Sequence, residues 1–193
     1  MKLCVFGAAS YEIDKEYIEK VEALGEMMAK RGHDLVFGAG GNGLMGAAAR
    51  GVYRGGGKIY GVIPKFFKEE NIEEIFDKCT ELIFTDTMAE RKAKMEDIAD
   101  AFIIVPGGIG TFEEFFEVLT LKQLGRHKKA IAIYDVRDYY AKLGEFMEIT
   151  YDEKFVKENC RDLYFYNRDA ETILSYIENE EQVERNVHDL KIG

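Results

Sequence analysis

The chain has 193 residues, 47% of them hydrophobic, and a formal net charge of −10. This length suits one domain with a sizeable core, and the composition argues against a disordered chain. A field of this sign repels nucleic acid and anionic membranes, and no apolar stretch approaches the ~20 residues that cross a bilayer, so we predict neither as a partner.

Strand-like and helix-like segments alternate from one end of the chain to the other. Short apolar runs predict strands, and apolar residues at helical spacing predict helices. In chain order, the predicted elements are strand Lys2–Phe6, helix Asp14–Arg31, strand Asp34–Phe37, helix Leu44–Tyr53, strand Lys58–Ile63, strand Thr80–Phe84, helix Met88–Ala99, strand Ala101–Val105, helix Thr111–Leu124, strand Ala130–Tyr134, helix Asp138–Thr150, strand Leu163–Tyr166 and helix Ala170–Glu180.

This alternation predicts a parallel sheet with helices on both faces. We expect an α/β fold: a doubly wound, Rossmann-like sheet of about six or seven strands in a single domain over residues 1–180. Residues 181–193 are expected to form a polar tail that frays. In such sheets ligands bind at the carboxyl ends of the strands, near the point where the strand order reverses.

The segment PGGIGTFEE (Pro106–Glu114) follows the apolar run AFIIV. A buried strand that leads through glycines into a helix places free N–H groups and the positive end of the helix dipole against a ligand, which suits a phosphate. Glu113 and Glu114 lie one turn further along. A phosphate site beside a carboxylate favours chemistry on a nucleotide or a sugar phosphate.

An ordinary structural role for Thr111 and Glu114 is also open. Thr111-x-x-Glu114 matches a capping box, in which the Thr side chain caps the helix and the Glu reaches back to the Thr N–H. A cap does not require the glycines of PGGxG, and their presence favours the binding site.

A second glycine loop, Gly38–Gly43, formally matches the G-x-G-x-x-G pattern of dinucleotide-binding proteins. It follows the second predicted strand, and about 20 residues later the chain has no acidic residue for a ribose. We favour a loop in which Gly40 and Gly41 hold a mononucleotide or its ribose; a tight turn that only packs helix against sheet stays open.

Arg91 falls on or beside the apolar stripe of its predicted helix, three residues after Met88 and four before Met95. A guanidinium there needs a partner, which could be a phosphate, a carboxylate or a subunit interface.

The three cysteines and three histidines are scattered along the chain without the spacing of a metal site. We therefore expect no metal site. An odd number of cysteines suits reduced thiols, which favours a cytoplasmic location.

Together these motifs resemble the LOG ("Lonely guy") family, the cytokinin riboside 5′-monophosphate phosphoribohydrolases. The family pairs M-x-x-R-K-x-x-M with PGGxGTxxE, and here these read MAERKAKM (Met88–Met95) and PGGIGTFEE. The resemblance extends to CVFGAAS, GAGGNGLMGAAARG, GVIPKF and EVLTLKQLGRHKKAIAIYD.

The resemblance implies hydrolysis of the N-glycosidic bond of an adenine or cytokinin nucleoside 5′-monophosphate, without metal or redox cofactor, by a homodimer. It implies that Arg91 and Glu114 are catalytic. It implies substrate-binding roles for Lys92, Gly107, Gly108, Ile109, Gly110, Thr111, Glu113 and Thr120, and for an acidic residue just after GVIPKF, which is Glu70 or, alternatively, Glu69. We add Ser10, Gly40, Gly41 and Met88 to the predicted substrate-binding residues.

The chain departs from the family in its first loop, where CGSS is replaced by Gly7–Ser10 (GAAS), and at Ala89, where a His is common. Members have also been labelled lysine decarboxylases, but no lysine here stands out as a pyridoxal Schiff-base residue. The alternative hypotheses are a non-catalytic nucleotide-binding module and an NAD(P)-binding protein.

Overall fold

Seven parallel strands form one sheet at the centre of the fold. The computed structural model describes residues 1–180 and 186–191, and within them the strand order is β4-β3-β2-β1-β5-β6-β7. The strands are β1 Lys2–Phe6, β2 Asp34–Phe37, β3 Ile59–Pro64, β4 Glu81–Thr85, β5 Ala101–Ile104, β6 Ala130–Tyr134 and β7 Phe165–Asn167. The prediction of a doubly wound α/β sheet with six or seven strands is confirmed.

Helices cover both faces of this sheet. They are α1 Lys15–Lys30, α2 Gly43–Gly55, α3 Lys65–Glu69, α4 Met88–Ile98, α5 Ile109–Gln123, α6 Ala141–Asp152, α7 Ala170–Asn179 and α8 Val187–Leu190, with short 3₁₀ turns at Val136–Asp138 and Glu158–Leu163. Apolar residues of α1, α2 and α7 pack on one face, and those of α4, α5 and α6 on the other. Neighbouring residues of β1 point to opposite faces, so Leu3 joins the first core and Cys4 joins the second.

The strand order reverses between β1 and β5, which lie side by side at the centre of the sheet. The two loops that leave their carboxyl ends are joined by a hydrogen bond from the Ala8 N–H to the Pro106 carbonyl at 3.1 Å. The fold therefore brings the first loop and the PGG turn together at the place where doubly wound sheets bind ligands.

The predicted start of the helix at Thr111 is wrong, and the capping role left open for Thr111 is not observed. Helix α5 begins two residues earlier, at Ile109, with Gly108 as its N-cap and no side-chain cap. Thr111 is buried inside the first turn. Glu114 is therefore released from a capping role and is available for another function.

Part of the predicted C-terminal tail, residues 181–185 and 192–193, lies outside the described residues. The rest of it does not fray as expected, because Leu190 of α8 is buried against the α5–α6 side of the sheet. Its carbonyl accepts a hydrogen bond from Gln123 Nε2 at 3.1 Å. Within the described ranges no helix is long and apolar enough to cross a bilayer.

Candidate functional site

A cleft of about 380 Å³ opens above the carboxyl ends of the central strands. The loop after β1, the segment after α3, helix α4 and the start of α5 all contribute to it. Its lining comprises Gly7, Ala8, Ala9, Ser10, Met45, Glu73, Met88, Arg91, Gly108, Gly110, Thr111, Glu113 and Glu114. The structure thus brings together both predicted catalytic residues and several of the predicted substrate-binding residues.

One wall of the cleft is the N-terminus of α5. The first intrahelical bond runs from the Phe112 N–H to the Gly108 carbonyl at 3.0 Å, so earlier N–H groups of the turn have no partner within the helix. No side chain caps this end. These N–H groups and the helix dipole together form an anion-binding surface.

Two residues of the predicted phosphate turn face elsewhere. Gly107 is buried and lines a smaller neighbouring cavity of about 250 Å³ together with Tyr17 and Tyr139. The side chain of Ile109 is almost fully exposed. Gly108 lines both cavities, and so lies at their junction.

The carboxyl group of Glu114 is partly buried and lies one turn after the start of α5. Burial raises its pKa from 4.5 to about 7, because desolvation disfavours the carboxylate; the positive charge of Arg91 acts in the opposite direction. A carboxyl group with this pKa exchanges a proton readily at neutral pH. That behaviour suits a general base, or a carboxylate that stabilises a developing positive charge.

Arg91 lies on α4 beneath the cleft and is only 5% exposed. Its Nε donates to the Val62 carbonyl at 3.1 Å and its Nη2 donates to the Gly38 carbonyl at 2.9 Å. A side chain at position 38 would collide with the guanidinium, since a Cβ there would lie 1.8 Å from Nη2. The main-chain carbonyls of Gly38, just after β2, and of Val62, within β3, therefore hold the guanidinium, whereas the sequence predicts a phosphate, a carboxylate or a subunit interface as its partner.

Glu73 is a cleft residue that the sequence did not reveal. Its Oε1 atom is buried and has no hydrogen-bond partner among the described residues. Burial raises its pKa above the usual value, and Arg91 again acts against that shift. The predicted residue, Glu70, is instead exposed at the end of α3 and does not line the cleft.

The glycines of the second loop hold the segment that carries Glu73. The Gly41 N–H donates to the Glu74 carbonyl at 2.7 Å, and Gly40 pairs with Ile75 in an antiparallel bridge. A Cβ on Gly40 would lie 2.4 Å from Glu73 Oε1. The structure therefore places Gly40 and Gly41 against the chain's own segment, behind the cleft wall.

Lys92 and Thr120 both lie away from the cleft lining. Lys92 forms ion pairs with Glu113 and, at 2.8 Å, with Glu117, and so joins α4 to α5. Thr120 is exposed and lines a separate groove of about 250 Å³ between α5 and α6.

Solved structures with the same fold have low sequence identity to this chain. A molybdenum cofactor binding protein from Rippkaea orientalis superposes with a TM-score of 0.69 at 18% identity, covering 92% of this chain and 94% of that one. The molybdenum cofactor carrier protein of Chlamydomonas reinhardtii gives 0.68 at 19% identity, covering 92% and 95%. At these identities the likeness concerns the fold alone.

Sequence comparison gives closer matches. Residues 45–177 match the family described as "Possible lysine decarboxylase". The chain is 37% identical over 177 residues to cytokinin riboside 5′-monophosphate phosphoribohydrolase LOG2 of Arabidopsis thaliana, covering 92% of this chain and 82% of that protein. It is 36% identical over 180 residues to LOG7 of the same plant, covering 93% and 82%. The family match and these two relatives agree with the motifs in the cleft: the chain belongs to the LOG family.

Proposed function

We propose that this protein hydrolyses the N-glycosidic bond of an adenine or N6-substituted adenine (cytokinin) nucleoside 5′-monophosphate, giving the free base and ribose 5-phosphate. The observation that carries the proposal is one cleft that holds an uncapped helix N-terminus and, one turn away, a carboxyl group with a pKa of about 7. The names of the Arabidopsis relatives support the same reaction.

The 5′-phosphate binds at the start of α5, on N–H groups between Gly108 and Thr111, with the Ser10 hydroxyl on the facing loop. Such an anion site is needed locally because the protein's net charge of −10 repels a phosphate at long range. Binding energy from the phosphate orients the ribose against the reacting groups.

Glu114 carries the chemistry. As the C–N bond breaks, its electron pair leaves with the base and positive charge develops on the anomeric carbon, which an ionised Glu114 stabilises. Water then attacks that carbon and loses a proton to the carboxylate, while the departing base takes up a proton. Arg91 favours the ionised form of Glu114, since its charge opposes the effect of burial on the pKa.

Glu73 holds the ribose, because its buried and unpartnered oxygen is an acceptor for a sugar hydroxyl. We expect Glu73→Gln to raise KM for AMP about tenfold, since a hydrogen bond to a charged acceptor becomes a neutral one. Glu70→Gln is the matched control and should leave KM unchanged. Steady-state kinetics on both variants tests this; a larger effect at Glu70 would contradict the assignment.

The proposal is tested by incubating the purified protein with AMP and separating the products by chromatography. We expect adenine and ribose 5-phosphate to appear in equal amounts, and adenosine, which lacks the phosphate, to be a poor substrate. Tight AMP binding without adenine release would indicate a nucleotide-binding module. Tighter binding of NADH than of AMP would indicate an NAD(P)-binding protein, as the G-x-G-x-x-G pattern of the Gly38–Gly43 loop would suggest.

The groove between α5 and α6 supports the further proposal of a homodimer. Phe116 and Phe146 both line it and are exposed, and neighbouring exposed aromatic side chains along one groove favour an interaction site. A dimer built on this groove would bring Thr120, a predicted substrate-binding residue, to the subunit contact. Cys4, Cys79 and Cys160 are all free, in keeping with the proposed cytoplasmic location.

A further inference from the structure

Three consecutive carbonyl groups in the turn after β5 are held by hydrogen bonds. The Tyr140 hydroxyl donates to the Val105 carbonyl at 2.8 Å, and the Ala8 N–H donates to the Pro106 carbonyl at 3.1 Å. The Tyr139 hydroxyl donates to the Gly107 carbonyl at 2.7 Å. Each bond fixes one peptide plane of the turn that leads into α5.

These three planes differ in what they present on their opposite edge. In a trans peptide the N–H points away from the C=O, so holding a carbonyl also aims the next residue's N–H. The 105–106 plane has no N–H, because residue 106 is proline. The 106–107 plane is held by the main chain of the neighbouring loop. In the 107–108 plane the carbonyl is held by the Tyr139 side chain, and its N–H belongs to Gly108, which lines the cleft.

The peptide group between residues 107 and 108 links two glycines. Because neither glycine has a side chain, this peptide plane can rotate with little steric resistance. A flip of this plane would turn the Gly108 N–H away from its present direction. The hydroxyl of Tyr139 is therefore the contact that fixes the direction of a donor at the anion-binding end of α5.

The loop that carries Tyr139 is built to hold it there. Arg137 and Asp138 both have a φ of 58°, a left-handed conformation that costs of order 1 kcal/mol for each non-glycine residue. Arg137 is tied to Asp14 at 3.0 Å, and Asp138 forms an ion pair with Arg168. Although Tyr139 is 44% exposed, this strained and anchored turn delivers its hydroxyl to the Gly107 carbonyl.

We infer that Tyr139 is a positioning residue: by holding the Gly107 carbonyl, its hydroxyl aims the Gly108 N–H at the 5′-phosphate of the substrate. The identity of that ligand rests on the proposed function. Because the Tyr139 hydroxyl aims one of several donors to the phosphate and touches no reacting atom, we expect its loss to weaken binding while the chemical step changes little.

The test is the variant Tyr139→Phe, which keeps the ring and removes only the hydroxyl. Calorimetric titration in a Glu114→Gln background, which should leave AMP uncleaved, should show AMP affinity reduced about tenfold by Tyr139→Phe, the effect of losing one hydrogen bond to a charged group, with adenosine affinity unchanged. Steady-state kinetics should show a similar rise in KM for AMP with kcat within about twofold. A purely structural role would lower the affinity for both ligands or for neither, and either result overturns the inference.

Tyr140→Phe is the matched control, since the Tyr140 hydroxyl bonds the Val105 carbonyl and contacts the Gly107 main chain on its 106–107 side, but does not hold the 107–108 plane. Tyr140 is buried, so this variant should lose thermal stability while keeping the wild-type preference for AMP over adenosine. A selective loss of AMP binding in Tyr140→Phe as well would contradict the assignment to the 107–108 plane. If the wild-type protein never releases adenine and Tyr139→Phe still binds AMP selectively worse, the proposed reaction fails and the positioning role stands.

Discussion

Glu114→Gln is expected to lower kcat on AMP by at least ~10²-fold, which is the usual contribution of a positioned acid–base group. The amide neither carries the charge that stabilises the anomeric carbon nor accepts a proton from water. Glu117→Gln is the matched control, because it makes the same change on the same helix at a carboxylate that pairs with Lys92 outside the cleft lining. Near-normal turnover by Glu114→Gln would remove the proposed chemistry.

The same variant should not be less stable than the wild type above neutral pH. The pKa of Glu114 rises from 4.5 to about 7 on folding, so the folded state holds its proton more tightly than the unfolded state. Stability is therefore lost as the pH rises between these two values, because a charge is then buried. Glu114→Gln removes a penalty of roughly 1–3 kcal/mol.

Thermal unfolding at two pH values measures this penalty. The variant should have a melting temperature a few degrees above the wild type at about pH 8, and the gain should vanish at about pH 4, where the wild-type carboxyl is protonated. A variant that melts well below the wild type at both pH values would mean that its lost activity reports unfolding instead.

Much of the fold could be predicted from the sequence because its signals are local. The apolar runs of β1, β5 and β6 are buried on both faces, and such runs predict a parallel sheet without knowledge of their neighbours. The turn from β5 into α5 was located by its glycines. The start of α5 was misplaced because Thr111-x-x-Glu114 imitates a capping box, whereas the true N-cap, Gly108, has no side chain to signal it.

The parts of the site that sequence missed depend on contacts between distant segments. Glu73 reaches the cleft because residues 73–76 pair with the loop after β2, and nothing in their local spacing sets Glu73 apart from Glu70. The partners of Arg91 are one carbonyl within β3 and one just after β2, and these two strands are neighbours in the sheet. The order of the strands in the sheet determines which carbonyls lie next to Arg91, and no single sequence motif predicts that order.

Arg91→Met is expected to lower kcat/KM on AMP by about 10²-fold at neutral pH and to move the acid limb of the pH–rate profile to higher pH. Wild-type activity should rise with pH through about 7, as Glu114 ionises. Because the charge of Arg91 lowers the pKa of Glu114, its removal leaves burial unopposed and raises that pKa further. More alkaline conditions should then restore part of the lost activity.

Arg91→Lys separates this electrostatic role from a structural one. Both variants leave the Val62 and Gly38 carbonyls without the forked donor that now satisfies them, so both should lose about 2–4 kcal/mol of stability. Only Arg91→Lys keeps a positive charge beside Glu114. The acid limb of its pH–rate profile should therefore stay near that of the wild type. If both variants lose activity but keep the acid limb of the wild-type pH–rate profile, Arg91 supports the fold and does not set the pKa of Glu114.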